Sequence, residues 1–388
     1  MPPPYKIAIL VDRDLAGTGG VESYISNLLL YLPGPGKEVY LITRIAPSKT
    51  YHGVLLRLLP EIPETHSRLL FRRPFLRIRL LREVLSPLLS DIGPDVIFCR
   101  DLYATLAAIR RTGPPVWYSP GSLLFDEFLF DIAPGYHWLK NLNENLRWIV
   151  RFWIEMRTCR RSHRLVVASS RLGDRIRRVY RVPKSKLLRV PLATSAQVML
   201  GDFSSRNSGE KVILSVSRLV PSKNLHLVPR ILSELGRDWR WVILGGGPCL
   251  EELRKSLKEY GLSENVDLPG AVDNVFDYYR SCDVFVHLSR HENFGVVLLE
   301  ALAAGRPPVV LDPREKGIHT ASGEFLRHGQ NAFFTRSEPK AIAEAIRQAV
   351  REGPSLRENC LDSIRNGFLF PQYVERLLNQ MKETFHWT

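Results

Sequence analysis

The sequence predicts an α/β protein with two doubly wound parallel sheets facing a central cleft. Strand-like apolar runs alternate with helical stretches along the chain, which is the pattern of βαβ units. The runs form two series. Between them lies Gly201-Asp202-Phe203-Ser204-Ser205-Arg206-Asn207-Ser208-Gly209, a polar stretch that reads as a linker or hinge. The 388 residues suffice for two domains with full cores. The expected division is 1–200, 201–368 and a terminal helix over 369–388.

The first series comprises Lys6–Val11, Glu38–Ile42, Asp95–Phe98, Val116–Ser119 and Leu165–Ala168. The second comprises Lys211–Ser215, Trp241–Leu244, Asn265–Leu268, Asp283–Leu288 and Pro308–Leu311. Ligands of such sheets bind beyond the carboxyl ends of the strands. After the first strand, Gly17-Thr18-Gly19-Gly20 opens a helix with an apolar stripe of helical period: Val21, Tyr24, Ile25, Leu28, Leu29 and Leu32. Glycines there let a ligand approach the backbone, or they make a tight turn and nothing more. Their spacing fails the dinucleotide fingerprint, and no P-loop Lys-Ser/Thr follows. The last segment, Pro371 to Leu378, is amphipathic.

Hydrophobic residues make up 45% of the chain, which excludes wholesale disorder. No apolar run approaches the roughly 18 residues needed to span a bilayer. The first residues enter a strand with no secretory leader pattern. Cys99, Cys159, Cys249, Cys282 and Cys360 have no metal-ligand spacing and read as reduced thiols. A cytoplasmic protein is expected, peripheral on the inner face of the membrane if its basic part docks there.

The net charge of +14 is uneven: residues 1–205 hold 30 Lys and Arg against 17 acids, and the remainder 24 against 23. Arginine dominates the basic half, with Arg68, Arg72, Arg73, Arg77, Arg79 and Arg82, then Arg157, Arg160, Arg161 and Arg164. Around the first group lie Leu69, Leu70, Phe71, Phe75, Leu76, Ile78, Leu80 and Leu81. This interleaving suits an anionic membrane surface. It equally suits an ordinary surface helix pair with a solvated arginine face, broken at Pro74. Nucleic acid is the weaker third reading and is not expected as a partner, because no recognised nucleic-acid module is present.

Chemistry concentrates in the second series. Cys282-Asp283-Val284-Phe285-Val286-His287-Leu288-Ser289 reads as a buried strand, followed by His291-Glu292-Asn293-Phe294-Gly295. A helix is expected from Gly295 to Ala304, stopped by Gly305. The helix start at Phe294, Val296 and Val297 aims backbone N–H groups and the positive dipole end at a spot that suits a phosphate. Glu292 and Glu300 are eight residues apart, a rise of about 12 Å if helical, so they can reach opposite sides of a bound diphosphate. Carboxylates are strong acceptors for vicinal sugar hydroxyls. A solvent-facing Glu plus a loop-capping Glu is the plainer alternative. Ser217-Arg218-Leu219-Val220-Pro221-Ser222-Lys223-Asn224 follows the first strand of this series. Arg218 and Lys223 can clamp a diphosphate, or they are ordinary surface cations.

These motifs resemble the Glu-x7-Glu signature of glycosyltransferase family 4, retaining enzymes of the GT-B fold with two Rossmann-like domains. The resemblance is strong in the C-terminal half and partial in the N-terminal half. It implies a nucleoside diphosphate sugar donor, UDP- or GDP-type, moved to an acceptor hydroxyl. It also implies that Arg218 and Lys223 contact the diphosphate, that Glu292 orients the sugar, and that Glu300 holds the ribose. Gly19 and Gly20 then lie against the donor phosphates. Gly245 sits in a Gly-x-Gly-Pro turn shaping the pocket wall, and Asn293, Phe294 and Gly295 belong to the signature. Leu268-Pro269-Gly270-Ala271-Val272 resembles the segment whose backbone lies beside the base. The C-terminal helix crosses back onto the first domain. With cations supplied by protein, no metal or cofactor is expected.

The N-terminal half departs from the pattern. Where the family carries a histidine in a strand-end phrase, this chain has Val116-Trp117-Tyr118-Ser119-Pro120-Gly121-Ser122, with proline at the histidine position. Three readings stay open. Ser119, Ser122, Asp126 or Glu127 takes over, as part of an acceptor site. The donor lacks the hydroxyl concerned. Or turnover is weak. A nucleotide-sugar epimerase, a sugar phosphorylase and a non-catalytic sugar-nucleotide binder are the alternatives to transfer. The basic, aromatic-rich region from His66 to Arg164 suggests a lipid-linked or anionic glycan acceptor, with a soluble small molecule open.

Overall fold

A computed structural model describes residues 4–12, 20–47, 49–60, 72–132, 142–194 and 211–387. The chain divides into two units, one of residues 1–190 with 374–388 and one of residues 191–373. The division falls at 190/191 and 373/374, against the 200/201 and 368/369 expected from sequence. The Ser/Gly-rich stretch 201–209 lies outside the described residues.

Among its described residues, the first unit contains seven strands: β1 (Tyr5–Val11), β2 (Lys37–Thr43), β3 (Val54–Leu58), β4 (Val96–Cys99), β5 (Val116–Tyr118), β6 (Arg164–Val167) and β7 (Leu187–Arg189). Helices α1 (Gly20–Tyr31), α2 (Arg73–Ile92), α3 (Leu102–Ala108), α4 (Leu124–Glu127), α5 (Leu142–Arg161) and α6 (Ser170–Tyr180) connect them. All pairs are parallel, in the order β3-β2-β1-β4-β5-β6-β7. Residues 7–11 and 96–99 are fully buried, as central parallel strands covered on both faces must be. The stripe read on α1 turns inward, with Tyr24, Ile25, Leu28, Leu29 and Leu32 all buried. Pro74 does not break α2 but sits in its first turn, where the missing N–H has no partner to lose.

The second unit contains β8 (Lys211–Val216), β9 (Trp239–Leu244), β10 (Val266–Gly270), β11 (Val284–His287), β12 (His291–Glu292), β13 (Val309–Leu311), β14 (His319–Thr320) and β15 (Phe333–Thr335). Its helices are α7 (Val228–Leu235), α8 (Leu250–Glu259), α9 (Val275–Ser281), α10 (Val296–Ala303), α11 (Pro339–Glu352) and α12 (Arg357–Arg365). The main sheet is parallel, ordered β10-β9-β8-β11-β13-β15, and β12 pairs separately with β14. Ile213, Trp241, Ile243, Val284, Val286 and Phe333 centre the core under α7 and α11.

Helix α13 (Phe370–Phe385) ends the chain. Its later turns belong to the first unit, where Leu377 and Met381 are fully buried. Trp387 stacks on Tyr5 with ring centres 4.3 Å apart, and Phe385 lies 5.7 Å from Trp117. Among the described residues, no helix is long and apolar enough to cross a membrane.

Candidate functional site

The second sheet reverses its strand order between β8 and β11. A doubly wound sheet opens a crevice there, at the carboxyl ends of the two strands. The loop after β8 carries Arg218 and Lys223, and the loop after β11 carries Ser289 and leads to Glu292. Backbone and amide bonds tie these loops together: Arg290 N donates to Ser222 O at 2.7 Å, and Asn224 Nδ2 to Leu288 O at 3.1 Å. Asn224 adopts a left-handed φ of 54°, which ends the turn carrying Lys223.

Lys223 Nζ consequently donates to Glu292 Oε2 at 2.7 Å and to Ser289 Oγ at 3.2 Å. His287 Nε2 lies 3.3 Å from the same Glu292 oxygen. Burial alone would push the Glu292 carboxyl up. The Lys223 ammonium, joined by His287, outweighs it and holds the carboxyl well below the usual carboxylate range. Burial lowers His287 in turn, against the pull of Glu292, so the ring is neutral at pH 7. An ammonium has three donors, and two are engaged here. Glu292 Oε1 has no hydrogen-bond partner among the described residues.

Helix α10 starts beside this pair. Gly295 at its N-cap has φ 90°, and a Cβ there would stand 2.9 Å from Leu298 Cδ1 and 3.1 Å from Glu292 Cγ. Glycine therefore lets the helix begin tight against Glu292. Gly295 supplies no side-chain cap, so the first-turn N–H groups at Val296 and Val297 face the crevice end of the helix. Phe294 is buried beneath, its ring 5.0 Å from Phe325, and Asn293 is buried beside it. Further along α10, Glu300 Oε2 accepts from the Tyr279 hydroxyl at 2.9 Å. Burial raises the Glu300 carboxyl, and the Tyr279 bond partly offsets it. Glu300 Oε1, like Glu292 Oε1, has no partner among the described residues.

Arg218 is exposed, and its guanidinium has no hydrogen bond or ion pair among the described residues. Its loop is shaped by glycines. A Cβ on Gly245 would stand 2.0 Å from Ser217 O, and one on Gly247 2.2 Å from Leu219 O. Gly245 N also donates to Gly270 O at 2.8 Å, which ties this turn to the end of β10 two residues before the half-buried Val272.

In the first unit, Gly19 lies outside the described residues and Gly20 opens α1. Ser119 is buried, its N–H donating to Cys99 O at 2.9 Å. Ser122 is exposed and donates to Glu127. Asp126 is turned inward: Arg175 bridges it at 2.7 Å, and its side chain keeps 1% exposure. That ion pair leaves Ser122 and Glu127 as the accessible polar pair of the loop. Glu155, also buried, accepts the Leu124 N–H at 3.0 and 3.1 Å on its two oxygens and the Tyr180 hydroxyl besides. It thereby caps the start of α4. The sequence reading singled out none of His287, Ser289, Tyr279 and Glu155. A lone histidine in an apolar strand was the only trace of the first.

Comparison with known proteins agrees with this architecture. The pattern described as Glycosyltransferase Family 4 matches residues 18–195, and that described as Glycosyl transferases group 1 matches residues 202–367. The chain belongs to this family of glycosyltransferases, with the GT-B fold. A 4-alpha-N-acetylgalactosaminyltransferase of Campylobacter jejuni, named for a diphospho-undecaprenol substrate, is 30% identical over 182 residues, 45% of this chain and 49% of that protein. The lipopolysaccharide core biosynthesis glycosyltransferase LpsE of Rhizobium meliloti is 32% identical over 38% of this chain and 41% of its own length. The chain thus spans about half or less of these curated relatives. Among solved structures, sucrose-phosphate synthase from Thermosynechococcus elongatus superposes with TM-score 0.79 at 17% identity, covering 98% of this chain and 99% of the other. Anabaena HepE, solved with UDP and glucose, gives 0.71 at 15% identity over 97% and 99%.

Proposed function

We propose that the protein is a retaining glycosyltransferase that moves a sugar from a nucleoside diphosphate donor, UDP- or GDP-type, to an acceptor hydroxyl. The Lys223–Glu292 pair at the strand reversal carries this reading. Lys223 with a spare donor, Arg218 with no partner and the N–H groups of α10 suit a diphosphate. Two carboxylates, each with one unpartnered oxygen, suit the hydroxyls on either side of it. As the bond to the diphosphate breaks, negative charge grows on the leaving group and positive charge on the sugar. Arg218, Lys223 and the helix start stabilise the former. Glu292, held ionised, orients the sugar, and Glu300 holds the ribose. No metal has a step in this scheme. HepE, solved with UDP and glucose, supports the donor class.

For the acceptor we favour a lipid-linked or cell-surface glycan, in keeping with the names of the Campylobacter and Rhizobium relatives. A cytoplasmic protein resting on an anionic membrane fits that acceptor. On α2 and α5, Phe75, Leu76, Ile149 and Trp153 are exposed, and the Arg157 guanidinium stands 5.0 Å over the Trp153 ring. A second reading, a sugar-nucleotide binder with weak turnover, draws on buried Pro120 at the family's histidine position. Incubation with a panel of nucleotide-sugars and acceptors separates the two. Acceptor-dependent release of nucleoside diphosphate is expected. Tight binding without release across the whole panel overturns the enzymatic reading, and release without acceptor points to hydrolysis or epimerisation.

A further inference from the structure

The first sheet has a strand reversal of its own, between β1 and β4. The crevice rule applies there equally. The residue directly after β4 is Arg100. Its guanidinium lies over the Tyr24 ring of α1, 4.2 Å from the centroid. On another side it adjoins the loop after β5, where a Cβ added to Gly121 would stand 3.2 Å from Arg100 Nη2. Three elements therefore place this cation. None of them neutralises it.

The nearby carboxylates are occupied elsewhere. Asp101, next in sequence, turns back to cap α3, accepting from Tyr103 N and Ala104 N at 3.0 Å each. Asp12, directly after β1, is bridged by Arg77 at 2.7 Å and by Arg44. Arg100 has no hydrogen bond or ion pair among the described residues, and its Nε is buried without a partner. A guanidinium is a planar fork matched to carboxylate and phosphate. Stacking on an aromatic ring holds that fork in one plane and leaves its edge for an anion.

We propose that Arg100 is the anion receptor of the first unit, taking an oxyanion, phosphate or carboxylate, carried by the acceptor. Gly121 leaves room for the fork, and Tyr24 fixes its plane. The inference rests on the glycosyltransferase reading only for the word acceptor; the anion site stands on its own geometry. It makes Arg100 a specificity determinant for charged acceptors.

The test is equilibrium binding by the full chain, with UDP saturating so that Arg218 and Lys223 are engaged. The probes are an alkyl diphospho-N-acetylhexosamine, an alkyl hexuronide and a neutral alkyl hexoside. Arg100→Gln is expected to weaken at least one anionic probe by about ten- to a hundredfold and to leave the neutral probe and UDP unchanged. Arg100→Lys should recover part of the loss, because it restores charge without the fork. Gly121→Ala, which crowds Nη2 while keeping Arg100, should weaken the same probe. Loss on the diphospho probe alone identifies a phosphate, and on the hexuronide alone a carboxylate. The proposal is overturned if neither anionic probe depends on Arg100, or if the neutral probe or UDP weakens equally. If UDP itself does not bind while an anionic probe shows Arg100 dependence, the donor reading falls and the anion site survives.

Discussion

Lys223 and Glu292 lie 69 residues apart in sequence and meet at 2.7 Å, with side chains only 15% and 21% exposed. Two loops at one strand reversal bring them together, and the Lys223 ammonium holds Glu292 in its charged form. The two ends of the pair should therefore fail differently. On the proposed donor reading, Lys223→Ala removes a phosphate ligand and strands a buried carboxylate. It should weaken UDP binding and cut turnover by roughly a hundred- to a thousandfold. On the same reading, Glu292→Gln keeps the phosphate ligands and removes the negative charge that orients the sugar. It should leave UDP affinity within a few-fold while turnover falls by about the same factor. Calorimetric titration with UDP beside steady-state kinetics reads both numbers. Equal loss of UDP affinity in the two variants would remove the division of roles.

The turn behind Arg218 should refuse alanine at one glycine and tolerate it at the next. Gly245 has φ 115° and no room for a Cβ, which would stand 2.0 Å from Ser217 O. Gly245→Ala is expected to destabilise the second unit by roughly 2–5 kcal/mol through backbone strain and overlap together. Around Gly246 nothing lies within 4 Å, so Gly246→Ala should cost no more than about 0.5 kcal/mol. Urea unfolding of the two variants decides it. A tolerated Gly245→Ala would mean that the loop is not held as described.

Much of this was written in the sequence, and what was not has a common physical cause. The central strands announced themselves because parallel strands covered on both faces need unbroken apolar runs, as in residues 7–11 and 284–286. Edge strands need no such run. Val54 to Leu58 is largely exposed, and Leu187–Arg189 and Phe333–Thr335 are three residues each, so none of the three stood out. The helix bearing Glu300 was legible from Gly295 to Ala304, and the structure trims it to Val296–Ala303 because Gly295 is left-handed. The partners of the two glutamates were not legible. Tyr279 reaches Glu300 from a different helix, and His287 reaches Glu292 across a loop. Such pairings depend on how elements pack, which residue spacing does not encode.

The buried Glu155 should give the first unit a pH-dependent stability. Burial, only partly offset by the Tyr180 and Leu124 hydrogen bonds, pushes its carboxyl up to about 7. Asp126 and Glu127 add to the rise, while Arg175 holds Asp126. A carboxyl raised on folding binds its proton more tightly in the native state. Its contribution is fully present below the unfolded value near 4.5 and is lost as pH rises through about 7, at up to about 1.4 kcal/mol per pH unit. Glu155→Gln removes that slope. The difference in urea unfolding free energy between wild type and variant should therefore shift in favour of the variant from pH 5 to pH 8. A pH-independent difference would show that Glu155 titrates normally.

Trp153 and Phe75 should decide whether the protein binds membranes. Their rings are 5.7 Å apart, joining the start of α2 to the middle of α5, and both remain substantially exposed. Leu76 and Ile149 extend the apolar surface, and Arg157 lies over Trp153. Not every arginine in this region is free to meet lipid: Arg77 is bound to Asp12, and Arg82 to the carbonyls of Leu106 and Ala107. An arginine near an anionic surface contributes about 1 kcal/mol of attraction, which should fade with salt. Burying one aromatic ring in the interface adds about 1.5–3 kcal/mol. The double variant Phe75→Ser, Trp153→Ser should reduce flotation with anionic vesicles by at least tenfold and leave UDP affinity unchanged. High salt should reduce flotation of the wild type on the same vesicles. If wild type floats equally with neutral and anionic vesicles, charge plays no part. If it floats with neither, the exposed rings serve a protein partner or none, and the acceptor need not be presented by a membrane.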